Sequence, residues 1–152
     1  MSAFRNYTGP SPAFSNVTRR SGPVVVTYFD RLKEANRALG EVINATYARL
    51  KSKTASGDVE SLIDTVGKQI VQINSVPRVD AESDQYKNRL LELLNEQKRI
   101  LEELRKESAN DLGALAKEEE TLRNRYSEFV SDYTKWLPGF LKKHGYELGE
   151  RK

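Results

Sequence analysis

The chain has 152 residues, of which 38% are apolar and 31% charged, with a formal net charge of +3. That is about one domain of sequence, long enough to bury a core but too polar for a thick multilayer globule, and it points to amphipathic helices. Cysteine is absent, which excludes disulfides, thiolate nucleophiles and cysteine-based zinc sites.

Charge is unevenly spread. Residues 1–56 hold nine Lys/Arg against three Asp/Glu, and the remainder holds sixteen against nineteen. The opening "MSAFRNYTGP" has no secretory apolar core, and no stretch is apolar enough to span a bilayer. The three Asn-x-Ser/Thr matches, at Asn6, Asn16 and Asn44, therefore read as chance, and the expected location is intracellular or particle-borne.

Residues 1–23 carry Pro10, Pro12, Pro23, Gly9 and Gly22 among many Ser, Thr and Asn. Such a composition predicts an extended basic arm rather than a helix. Phe4, Tyr7 and Phe14 are spaced along it like anchors for a partner's surface. Arg5, Arg19 and Arg20 are its candidates for phosphate contacts.

A helical domain is expected from 24 to 141, followed by a charged tail, 142–152. Val25, Phe29, Leu32, Leu39, Val42, Ile43 and Leu50 trace one face of a first helix ending near Lys53. "TASGD" breaks it, with Asp58 suited to cap a second helix running to about Asn74. The short linker predicts an antiparallel hairpin. Pro77 then punctuates the chain.

The longest helical pattern runs from about Ala81 to Leu137. Tyr86, Leu90, Leu93, Gln97, Ile100 and Leu104 form one heptad-like seam, and Leu112, Leu115, Glu119, Leu122, Tyr126 and Phe129 begin another. The step from Leu104 to Leu112 has the arithmetic of a stutter, which keeps a helix continuous. A turn at "ESANDLG" is the rival. The pattern favours one coiled-coil-like helix, about 80 Å long if unbroken, ended by Pro138-Gly139. The expected fold is thus all-α: a helical hairpin plus a long helix, continuous or broken once, after an extended arm.

Tyr126, Phe129, Tyr133, Trp136 and Phe140 recur at helical spacing and suit helix packing, within a bundle or between chains, with contact between chains favoured. Catalytic chemistry has no evident seat. His144 is the sole histidine and lies in a charged tail, where a solvated role is expected. Glu118, Glu119 and Glu120 fan around a helix, and Glu119 falls on the apolar seam, where it needs a partner such as Arg123. No metal-ligand spacing, phosphate loop or nucleophile elbow is present. The expected function is non-enzymatic, with no catalytic, cofactor or metal site: a scaffold, linker or minor component of a large complex or virion. Its partners would be proteins, including further copies of itself. The alternative is a nucleic-acid-binding accessory protein using the basic N-terminal third. "KWLPGFLKK" has the composition of a membrane-interface segment, but its apolar part is short and interrupted by Pro138 and Gly139.

Overall fold

The computed structural model describes residues 12–52, 59–106 and 112–146, with side chains from Val24 onward in the first segment. They form four α-helices and no strand: α1 (Pro12–Ser52), α2 (Val59–Asn74), α3 (Ala81–Arg105) and α4 (Leu112–Lys143). The fold is all-α.

Cross-helix contacts fix the directions. Arg105, at the end of α3, meets Glu60 at the start of α2 at 2.8 Å, while Lys87 donates to the Val76 carbonyl beyond the end of α2 at 3.1 Å. Along α3 and α4, Arg99 pairs with Glu118 and Arg89 with Asp132. Between α1 and α4, the Tyr126 hydroxyl donates to the Asn36 carbonyl at 2.9 Å, and Tyr28 meets Trp136 edge-on. Each of these helix pairs is antiparallel. Since α1 also packs on α2, the four close into an up-down-up-down ring. Across its diagonal the Tyr28 hydroxyl donates to the Ser83 carbonyl at 2.6 Å.

The favoured continuous helix from Ala81 to Leu137 is therefore not what forms. The chain reverses between Arg105 and Leu112, and α3 ends in a cap where the Lys106 N–H reaches the Glu102, Glu103 and Leu104 carbonyls. Packing decides the choice between stutter and turn. Leu90, Leu93, Ile100, Leu104, Leu115 and Leu122 are all buried, and each large aliphatic side chain removed from water contributes about 1.5–3 kcal/mol. A straight helix would hold the two seams end to end in solvent. Folding back lets each cover the other. The turn itself, 107–111, lies outside the described residues.

α1 departs from expectation at its start. Its helical backbone begins at Pro12 rather than Val24, so Phe14, Arg19 and Arg20 stand on a helix and not on an extended arm. Proline is well suited to the first helical position, where its missing N–H has no intrahelical partner to lose. Once a buried segment such as 25–50 has nucleated a helix, each added residue gains a hydrogen bond at little further cost. Phe4, Tyr7 and Arg5 lie outside the described residues, as does the Asp58 cap.

At the other end, Pro138-Gly139 does not stop α4, which continues to Lys143. Both residues are exposed, while Phe140 and Leu141 just beyond them are buried. The proline ring and the carbonyl it deprives face water, and core contacts on the opposite side hold the next turn in place. α3 starts at Ala81, the residue from which the helical pattern runs. Asp80 accepts from the Ser83 backbone at 2.8 Å and the Ser83 hydroxyl accepts from the Asp80 N–H at 3.1 Å, a reciprocal capping box.

Candidate functional site

The aromatic stripe of α4 points into the chain's own core. Phe129, Tyr133 and Phe140 are buried, and Tyr126 and Trp136 are partly so. Tyr86 of α3 stacks on Trp136 at 4.5 Å and meets Tyr133 edge-on at 5.9 Å. Tyr28 of α1 lies 5.3 Å from Phe140, which stacks on Trp136 at 4.5 Å. For Phe129, Tyr133 and Phe140 the contact is thus within the bundle rather than between chains. The reason is the fold-back: Tyr86 and Tyr28, each unremarkable in its own helical pattern, converge on the stripe only once α3 and α1 flank α4.

This cluster closes one end of the bundle with a polar clasp. Asp80 receives Lys143 Nζ at 3.2 Å and lies 3.4 Å from His144 Nε2, whose ring also packs edge-on against Phe140. The His144 side chain is only 17% exposed, so it is not the solvated tail residue expected from its neighbours. Desolvation opposes ionisation of Asp80. The Ser83 amide and hydroxyl, with Lys143 and His144, outweigh it and hold the carboxyl at about 2.

A second polar feature sits in mid-bundle. Glu119 and Gln97 are fully buried, and Gln97 Nε2 donates to Glu119 Oε1 at 2.9 Å. The expected partner, Arg123, instead lays its guanidinium over the Tyr47 ring, 4.2 Å from the centroid. Burial raises the Glu119 carboxyl to about 7. The Gln97 bond and the field of Arg123 oppose that rise, and Glu96 adds to it. Gln97 Oε1, Glu119 Oε2 and the buried Thr46 Oγ1 have no hydrogen-bond partner.

Between α1 and α4 runs an open groove of about 690 Å³, lined among others by Gly40, Asn44, Arg123, Asn124, Ser127 and Ser131. Gly40 lets Tyr126 cross it. A Cβ at that position would stand 2.6 Å from the phenol oxygen. Gly40→Ala should gain about 1 kcal/mol of helix propensity. It should lose more, by pushing Tyr126 off Asn36 and crowding the contact, for a net destabilisation of about 1–2 kcal/mol. Urea unfolding measures it, and a stabilised variant would show that Tyr126 swings aside freely.

An arginine of α1 is ion-paired within the helix, and a lysine lies near a ring. Arg37 pairs with Glu34 and Glu41, each at 2.6 Å, and Lys33 lies 5.9 Å over the Phe29 ring. Of the other residues expected to touch a partner or phosphate, Phe14, Arg19 and Arg20 stand on the helical backbone of α1.

Among the described residues no group of three or more His, Cys, Asp or Glu could hold a metal ion, and no helix is long and apolar enough to cross a membrane. Comparison with protein-family models, curated proteins and solved structures finds no match to this chain.

Proposed function

We propose that the protein is a non-enzymatic assembly component: a scaffold, linker or minor part of a large complex such as a virion. The bundle serves as a rigid body, and the N-terminal segment, residues 1–23, makes the attachment. The observation that carries this reading is the surface of the bundle. Among the described residues Val71 is the single large hydrophobic left exposed, so the apolar seams are consumed within the fold and offer no second chain a face. Attachment then falls to the N-terminal segment, along whose sequence Phe4, Tyr7 and Phe14 are spaced as separate anchors. Its chemistry suits insertion of separate side chains into pockets. The titratable groups support a non-enzymatic role: Glu119 is sealed from water, and His144 and Asp80 are occupied with each other and with a helix cap.

The test compares the full chain with a variant carrying Phe4→Ala, Tyr7→Ala and Phe14→Ala together, by sedimentation at micromolar concentration. The full chain is expected to associate. The variant is expected to sediment as a 17.3 kDa monomer with unchanged helical circular dichroism. A full chain that stays monomeric removes self-assembly, and equal association of the two proteins removes the role of the N-terminal aromatics.

A further inference from the structure

We propose that the groove between α1 and α4 is a binding site for a small phosphate-bearing ligand, with Arg123 as its anchor. This goes beyond the assembly role and rests on different residues. On α3 and α4, Arg89, Arg99, Arg105 and Arg125 each meet a carboxylate: Asp132 at 3.1 Å, Glu96 at 2.6 Å, Glu60 at 2.8 Å and Glu92 at 3.8 Å. Arg123 alone among the arginines described there has no carboxylate within 4.0 Å. Glu119, an acid that feels its field, is buried and bonded to Gln97.

Arg123 is nonetheless held in place. Its guanidinium lies 4.2 Å from the centre of the Tyr47 ring, and Lys51 Nζ lies 5.4 Å from the same centre. Two cations share one ring, and no described carboxylate lines the adjoining groove. Two cations beside a groove with no carboxylate in its lining favour the arrival of an anion. A guanidinium stacked on an aromatic face keeps its N–H fork free and pre-oriented, which is the geometry that engages phosphate oxygens in pairs.

The other groove residues complete the donor set. Asn44 from α1, and Asn124, Ser127 and Ser131 from α4, bring amide and hydroxyl donors to the same space. So many donors suit the three free oxygens of a phosphate ester better than the two of a carboxylate. The volume of about 690 Å³ lies within the usual range for small-molecule sites, and it leaves room for the organic part of a mononucleotide-sized ligand.

Titration of the full-length protein with inorganic phosphate, then with a nucleoside monophosphate, followed by ¹H–¹⁵N NMR, tests the proposal. The side-chain signals of Arg123, Asn44 and Asn124 should move and saturate, with the monophosphate binding the tighter of the two. Arg123→Gln should weaken binding by about tenfold or more, the loss expected for a charge-assisted hydrogen-bond pair. Because Arg123 also packs on Tyr47, Asn124→Asp serves as a second variant. It is exposed, should leave the fold intact, and should weaken binding by placing a negative charge at the groove wall. Shifts that fail to saturate, or binding unchanged in both variants, would overturn the site. So would a single-stranded oligonucleotide whose affinity grows with length and ignores Asn124→Asp, since that contact would track a polymer backbone elsewhere.

Discussion

Phe129→Ala is expected to lower the stability of the bundle by about 3–5 kcal/mol, the range for deleting a fully buried phenyl ring. Phe129 is 1% exposed. It stacks on Tyr133 at 5.5 Å, meets Tyr86 at 6.3 Å and carries the Arg89 guanidinium 5.5 Å above its face. Removing it therefore costs burial, ring–ring contact and a cation–π contact at once, and it leaves a void that helices pinned by neighbouring layers cannot close. Typical domains have only about 5–15 kcal/mol to lose, so the variant should unfold at markedly lower urea concentration. Trp136, the one tryptophan, reports the change, since it stacks on Tyr86 and Phe140 at 4.5 Å each. Its emission should be blue-shifted in the folded protein and move red across the transition. Val71→Ala is the control: at 69% exposure it should change stability by no more than about 0.5 kcal/mol. A Phe129 variant as stable as that control would mean that the α4 stripe does not pack against α1 and α3.

What the sequence made legible is the set of buried positions, helix by helix. The face traced by Val25, Phe29, Leu32, Leu39, Val42 and Leu50 is the buried face of α1, and the two seams of the C-terminal half are the buried faces of α3 and α4. Periodicity reports which side of a helix is dry, and that depends only on local spacing. It does not report what covers that side. The seam from Tyr86 to Leu104 and the one from Leu115 to Tyr133 read equally well as consecutive stretches of one coiled coil or as the facing walls of a hairpin. Five residues between 106 and 112 separate the alternatives. The same limit explains the partners. Gln97 and Glu119 were each visible as polar interruptions of a seam, but their pairing requires the fold-back. Arg123, four residues beyond Glu119, was the natural local partner until Tyr47 of α1 offered its ring. Asp80 with His144, and Tyr28 with Ser83, are long-range meetings of the same kind. The groove at Gly40 had a faint local trace, a glycine inside a strong helical pattern, which commonly marks a close approach.

Glu119→Gln is expected to stabilise the protein above neutral pH and to flatten its stability profile between pH 5 and 8. The folded protein holds the Glu119 proton up to about 7, against an ordinary 4.5. Between those values the unfolded chain has released a proton that the folded chain keeps. Stability contributed by this site therefore falls as pH rises through the window and levels off above it. Integrated over the shift, the loss amounts to about 3 kcal/mol. The charged groups that act on Glu119 are Arg123 on its own helix and Glu96 on α3. Their opposed fields leave burial as the dominant cause. Geometry gives the same answer: Glu119 Oε2 and Gln97 Oε1 both lack a donor, and a proton on the carboxyl supplies one, whereas ionisation supplies none. Glutamine preserves the shape and brings its own N–H donors, so a reciprocal amide pair can form at every pH. Acid-side losses belong to other groups, chiefly Asp80, whose depressed carboxyl stabilises the fold until pH drops below the ordinary carboxylate range and on toward about 2. For that reason the informative quantity is the difference between parent and variant. Urea unfolding at pH 5 and pH 8 should show the variant gaining by up to about 3 kcal/mol at pH 8 relative to its difference at pH 5. If parent and variant keep a constant difference across that range, Glu119 is ionised in the fold and must be drawing on Arg123 or on water for its charge.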